Sequence, residues 1–243
     1  MTDTALWPDV LGRLLRREEL PPDCVERAFS AILEGEATDA QIAGFAVALR
    51  AKGETTGELA TLDELDDPVR AALDLAAFVR ALQRIDATGG PKHKRGRPLR
   101  LADAPVRKAI ADLRGELDAR AVTAAWDRAL AVPDYAGPPV WFHGDLSYLN
   151  LLARDGRLTG VIDWGTCGVG DPAIETIIAW SFFPPDARLA YREALGIDDA
   201  TSERGKGWAL TGVIGIAYYR DTNPTLIADK IRAIDAVLAD SNG

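Results

Sequence analysis

Apolar residues recur at helical spacing over most of this chain, and at Val140 that rhythm stops. Val140-Trp141-Phe142, Asn150 to Ala153 and Leu158 to Ile162 are short runs, the last two separated by Asp155-Gly156. Short apolar runs bounded by turn formers read as strands, and an Asp-Gly pair between two of them reads as a hairpin. The expected class is α+β, predominantly α.

Three amphipathic helices are predicted in the first sixty residues. Leu11, Leu14 and Leu15 share one face, Val25, Ala28, Phe29, Ile32 and Leu33 a second, and Ile42, Phe45, Ala46 and Leu49 a third. Pro21-Pro22-Asp23 opens the second helix, Thr38 with Gln41 forms a capping box for the third, and Gly53 ends it. Thr55 with Glu58 starts a short fourth turn. The acidic stretch Thr61 to Asp67 reads as a junction, and Pro68 opens a helix running to about Ile85. Further helices are expected at 104–114, 119–131, 171–182, 186–195, 202–219 and 224–240. Trp180, Trp208, Tyr218 and Tyr219 are read as core residues.

With 243 residues, 47% of them hydrophobic, the chain can bury a substantial core. Its net charge of -9 and pI near 4.8 argue against a nonspecific nucleic-acid binder and mildly favour a cationic substrate. Cys24 and Cys167 form no paired or zinc-spaced motif, which suits a reducing, cytoplasmic setting. Met1 to Val10 lack the basic start and apolar run of a secretory signal, and no stretch is long enough for a membrane span, so neither membrane nor nucleic-acid partners are expected.

The chemistry is concentrated in His143-Gly144-Asp145-Leu146-Ser147-Tyr148-Leu149-Asn150 and, after the hairpin, Ile162-Asp163-Trp164-Gly165. Oxygen-bearing side chains at a loop and at a strand end converge from separate backbone segments, as a phosphoryl-transfer site requires. The basic run Lys92 to Arg97, flanked by Gly89-Gly90-Pro91 and Pro98, reads as a solvated loop in preference to a substrate contact. Gly165-Thr166-Cys167-Gly168-Val169-Gly170 lacks the lysine and hydroxyl of a P-loop and reads as an ordinary loop.

On these residues the segment from about 66 to 239 resembles the aminoglycoside phosphotransferase family of kinase-like enzymes. Gly170-Asp171-Pro172-Ala173 and the tract Arg204 to Leu210 add to the likeness, while Ser147-Tyr148-Leu149 depart from the polar residue, proline and glycine common in the family and Glu175 stands where aspartate is common. The resemblance implies an enzyme that transfers the γ-phosphoryl group of ATP to a hydroxylated small molecule. It makes Asp145 the base, has Asn150 and Asp163 hold Mg2+ and the nucleotide phosphates, and gives His143 a bracing role in the catalytic loop. Asp171 is expected to cap a helix and stabilise the fold.

A second likeness lies upstream. Leu33-Glu34-Gly35-Glu36-Ala37-Thr38-Asp39-Ala40-Gln41-Ile42-Ala43, with Leu49 to Thr55, resembles the helical N-terminal domain of anthranilate phosphoribosyltransferases over about residues 7–62. That likeness implies subunit association, a homodimer through the N-terminal helices. The organisation expected is therefore a helical domain at 1–62 joined to a kinase-like C-terminal lobe at 66–243. The small nucleotide-clamping lobe, with its glycine-rich hairpin and strand lysine, is missing before Asp67. Two alternatives stand beside the phosphotransferase reading: a catalytically silent fusion whose helices mediate association, and a transferase of the anthranilate pathway, disfavoured because no phosphoribosyl-diphosphate domain is found.

Overall fold

The computed structural model describes residues 6–52 and 65–240. The expected signals at Gly53, at Thr55 with Glu58, and across most of the Thr61 to Asp67 junction lie outside the described residues.

Three helices come first: α1 (Leu6–Leu15), α2 (Pro22–Leu33) and α3 (Asp39–Lys52). The capping box forms as expected, with Thr38 N donating to Gln41 Oε1 at 2.8 Å and Gln41 N to Thr38 Oγ1 at 3.3 Å. Val10 and Leu14 of α1, Phe29 and Ile32 of α2, and Ile42 and Phe45 of α3 turn inward, and Trp7 meets Phe45 edge-on at 6.0 Å. The long helix α4 (Pro68–Gln83) follows, its N-terminus capped by the Asp67 carboxylate accepting from Arg70 N at 3.0 Å. Helices α5 (Asp103–Asp112) and α6 (Ala119–Ala131) lead to the β region.

Among the described residues four short strands make two separate antiparallel pairs: β1 (Val140–Phe142), β2 (Leu151–Arg154), β3 (Arg157–Val161) and β4 (Gly168–Gly170). β2 and β3 are the predicted hairpin, with Leu151 opposite Val161, and Asp155 and Gly156 both take positive φ, 50° and 76°, as its turn requires. β4 pairs with β1, Val140 opposite Gly170, and corrects the reading of residues 165–170 as plain loop. Glycine is needed there because a Cβ on Gly168 would stand 2.8 Å from Pro91 O, and one on Gly170 would overlap the Gly96 backbone.

Helices α7 (Ile177–Ser181), α8 (Pro185–Leu195), α9 (Asp199–Leu210), α10 (Gly212–Tyr219) and α11 (Pro224–Asp240) complete the chain. Two expectations are corrected. The helix predicted from 171 begins as a 310 turn, Pro172–Thr176, and the one predicted over 202–219 is broken at Thr211, whose hydroxyl donates to Trp208 O at 2.6 Å. Trp180 and Trp208 are buried as expected, whereas Tyr218 is 77% and Tyr219 41% exposed, because α10 ends at the surface there.

The core runs through all of these elements. α4 packs on α8, α9 on the 310 turn and on α6, and α11 on α7 and α10, while α2 lies against β3 and α4. Among the described residues no helix is long and apolar enough to cross a membrane. Both cysteines are buried and neither is in a disulfide.

Candidate functional site

His143 opens the loop that follows β1. Its imidazole is fully buried, with Nε2 2.8 Å from Ile162 O and Nδ1 accepting from Asp145 N at 3.2 Å. The ring is therefore neutral, with its proton on Nε2 facing the carbonyl. Burial drives its pKa down to about 4, against the opposing pull of Asp145 and Asp163. The ring also meets Trp164 edge-on at 4.9 Å.

Glu175, buried beneath the loop, holds the next two amides. Its carboxylate accepts from His143 N at 3.2 Å and from Gly144 N at 2.8 Å. Burial raises its pKa to about 7 although those two amides lower it. Gly144 takes φ 84°, and a Cβ there would lie 3.0 Å from both Phe142 Cδ2 and Thr166 O. Thr166 Oγ1 closes the far side by donating to His143 O at 2.9 Å.

Downstream, Tyr148–Asn150 form a 310 turn with Asn150 N donating to Ser147 O at 2.9 Å. Proline and glycine are dispensed with because side chains anchor the turn. Tyr148 stacks on Phe182 at 6.4 Å. Asn150 is buried, and its Nδ2 donates to Asp145 O at 2.7 Å, leaving Oδ1 as the acceptor atom open to a ligand. Ile162 N donates to Asn150 O at 2.9 Å, so the loop is tied on both sides to the residue preceding Asp163. Asp163 is exposed in the left-handed region, φ 59°, and makes one long contact, from Gly165 N at 3.3 Å.

The predicted site residues thus fall into two kinds. His143 and Asn150 are buried in the framework, while Asp145 and Asp163 reach the surface. Among the described residues no three His, Cys, Asp or Glu side chains gather as a metal-binding group. The oxygens here, the Asn150 amide and the Asp163 carboxylate, fit magnesium, which is held by one or two carboxylates together with substrate phosphates and water.

Arg95 corrects the reading of its loop as merely solvated. Its guanidinium crosses to the His143–Asn150 loop, Nη1 donating to Gly144 O at 2.6 Å and pairing with the Asp145 carboxylate. The local excess of positive charge was visible in sequence; its target, fifty residues on, was not. Glu175 likewise carried no signal beyond its family position. Asp171 behaves as expected, accepting from Ala173 N at 2.9 Å as the cap of the 310 turn and pairing with buried Arg204 at 2.7 Å.

A mostly helical body carrying a hydrogen-bonded His-Gly-Asp loop, an asparagine five residues on and an aspartate just after a hairpin defines the class of kinase-like phosphotransferases. Solved structures agree in fold. The GDP and kanamycin complex of aminoglycoside phosphotransferase APH(2")-IIIa superposes with a TM-score of 0.56 at 22% identity, covering 77% of this chain and 69% of that one. The GDP complex of wild-type aminoglycoside 2'-phosphotransferase-IIIa gives 0.54 at 19% identity, with the same coverage, 77% and 69%. The chain belongs to the phosphotransferase enzyme family, whose pattern matches residues 10–209.

Part of the chain also matches anthranilate phosphoribosyltransferases. It is 59% identical over 56 residues to that of Streptomyces griseus, 23% of this chain and 16% of the other. It is 46% identical over 86 residues to that of Nocardioides sp., 35% of this chain and 24% of the other. The chain therefore spans a quarter or less of the length of these curated relatives.

Proposed function

We propose that this protein transfers the γ-phosphoryl group of ATP to a hydroxyl of a small molecule. The observation that carries this reading is the pair of hydrogen bonds binding the Asp145 loop to the strand end before Asp163, His143 Nε2 to Ile162 O and Ile162 N to Asn150 O. They fix the acceptor side and the phosphate side of the site relative to each other, and such alignment is most of what phosphoryl transfer asks of a protein. The GDP and kanamycin held by the relative of like fold support a nucleotide donor and a hydroxylated acceptor.

Asp145 orients the acceptor hydroxyl and takes its proton as the oxygen–phosphorus bond forms and the bond from the γ-phosphorus to the β-phosphate oxygen breaks. Nucleoside diphosphate leaves. Asn150 Oδ1 and the Asp163 carboxylate would hold Mg2+, which when bound neutralises charge on the phosphates. His143 acts by position: it keeps the Asp145 amide and the Ile162 carbonyl in register without touching substrate.

Nucleotide titration followed by thermal melting tests the metal side. Mg-ATP is expected to raise the melting temperature of the wild type and not of Asp163→Ala; an undiminished shift in the variant removes the role given to Asp163. On the acceptor side, Asp145→Asn should reduce turnover by at least a hundredfold, within the contribution typical of a general base. Activity that survives the substitution counts against Asp145 as the base.

For the architecture we propose a helical unit at 1–62 joined to a kinase-like large lobe at 66–243. Two buried cysteines outside any disulfide support a reducing, cytoplasmic setting. A second reading, in which the chain is catalytically silent and its helices mediate association, is favoured by one feature: Leu15 on α1 is 78% and Val47 on α3 51% exposed. Light scattering of the full chain separates wild type from Leu15→Glu. A dimer converted to monomer supports association through these helices, and a wild-type monomer at all concentrations rejects it.

A further inference from the structure

The basic run Lys92 to Arg97 has no part in phosphoryl transfer as described above, yet it is not uniformly solvated. Lys92, Lys94 and Arg97 are exposed, while Arg95 is half-buried against Asp145. The backbone on both sides of Arg95 is docked on β4, Val169 N donating to Pro91 O at 2.9 Å and Asp171 N to Gly96 O at 3.2 Å. A Cβ on Gly96 would overlap the Phe142 ring, so the run also sits directly on the end of β1. β1 pairs with β4, and Asp145 stands three residues beyond Phe142, the last residue of β1. Arg95 and Asp145 are therefore referred to one pair of strands, and backbone sets the distance between them.

From His143 to Asp145 every backbone polar group is tied. Glu175 holds the His143 and Gly144 amides, Thr166 the His143 carbonyl, His143 Nδ1 the Asp145 amide and Asn150 Nδ2 the Asp145 carbonyl. What is left to move is the Asp145 carboxylate. Arg95 Nη1 donates to Gly144 O at 2.6 Å and also to Asp145 Oδ1, so a single nitrogen ties the carboxylate to the backbone against which it would rotate. Among the described residues no other side chain pairs with this carboxylate, and Oδ2 faces no donor. With side chains 32% and 35% exposed, the ion pair contributes little to stability. Its effect is on direction: a carboxylate held through one oxygen presents the other along one line, and alignment is what phosphoryl transfer chiefly requires.

We infer that Arg95 is a positioning residue for the base: it fixes the Asp145 carboxylate through Oδ1 and so aims Oδ2 at the acceptor hydroxyl, without itself touching substrate. The inference rests on the phosphotransferase reading. The hydroxyl proton passes to Oδ2 as the oxygen–phosphorus bond forms, and Arg95 keeps its own protons throughout.

Two measurements on the full chain test this. In nitrogen NMR of the arginine side chains, Arg95 of the wild type should give separate Nη1 and Nη2 signals, because a nitrogen bonded to two acceptors does not exchange freely with its twin; Asp145→Ala should speed that exchange. In turnover of Mg-ATP, with kanamycin or with water as acceptor, Arg95→Ala should lower kcat about a hundredfold, the cost of misplacing a reacting group by about an ångström. The KM values and the melting temperature should not change, and guanidinium at non-denaturing concentration should restore part of kcat in the variant. Averaged Nη signals in the wild type, or an undiminished kcat in Arg95→Ala, would overturn the assignment. A rise in KM at constant kcat would make Arg95 a substrate contact, and a lowered melting temperature without guanidinium rescue would make it a structural one. Separate Nη signals with no thermal shift from Mg-ATP would leave the clamp on Asp145 standing and remove the kinase reading. Phosphate transfer by a protein whose Nη signals are averaged would do the reverse.

Discussion

At the scale of single residues, the site is governed by side chains that have no freedom left. Both nitrogens of His143 are engaged, one with Ile162 O and one with Asp145 N, so an added proton at Nδ1 meets an N–H and no solvent. A histidine held near pKa 4 in the fold and near 6.5 when unfolded contributes stability that is present above 6.5 and is lost as pH falls through 4. Glu175 runs the other way: its folded pKa of about 7 exceeds the ordinary 4.5, so its contribution is present below 4.5 and lost as pH rises through 7. Between 4.5 and 6.5 the two oppose each other. Removing one exposes the other, and urea denaturation of wild type and His143→Gln should show a stability gap larger at pH 7.5 than at pH 5 by about 1–2 kcal/mol. Equal gaps at the two pH values would mean that the imidazole titrates normally. Of these residues the sequence pattern pointed to His143, Asp145, Asn150 and Asp163, because their spacing is local. Glu175 and Arg95 reach the same loop from 31 and 49 residues away, and nothing in a one-dimensional pattern encodes such a meeting.

At the scale of elements, glycine marks where backbones approach too closely for a side chain. Gly205 lies in α9 where that helix crosses the 310 turn Pro172–Thr176; a Cβ there would overlap Thr176 Oγ1 and stand 3.0 Å from Thr176 Cβ and 3.3 Å from Ala173 O. Alanine should gain about 1 kcal/mol of helix propensity, but the overlap costs roughly 1–3 kcal/mol, and the second term wins. Gly205→Ala should therefore melt at a lower temperature than wild type. Because the same turn carries Glu175, its turnover should fall as well. A higher melting temperature with normal turnover would show that α9 backs away without strain. Helices α6 and α11 were legible to the residue, at 119–131 and 224–240, because their apolar spacing is regular. The break at Thr211 was not, because a threonine hydroxyl turning back on its own helix leaves no mark in the apolar pattern. Nor was β4, whose glycines answer to Pro91 and Gly96 across space.

At the scale of the molecule, aromatic rings connect the N-terminal helices to the loop that carries His143 and Asp145. Phe29 of α2 meets Phe78 of α4 at 5.5 Å, Phe78 meets Trp164 at 5.7 Å, and Trp164 meets His143 at 4.9 Å. Arg154 of β2 adds an ion pair to Glu26 at 2.7 Å, though so exposed a pair contributes little. Phe29 is 2% exposed, and truncation to alanine at such a site typically costs about 3–5 kcal/mol. If the helices and the lobe behind them fold as one unit, Phe29→Ala should lower the midpoint of a single urea transition, with far-ultraviolet circular dichroism and tryptophan fluorescence coincident. If the helices are an independent unit, the variant should instead show an early loss of helical signal followed by a second transition at the wild-type midpoint. The ring contacts favour the first outcome, because removing Phe29 exposes Phe78, the ring against which the turn carrying Asp163 and Trp164 is packed. The N-terminal helices and the body behind them would then unfold as one cooperative unit.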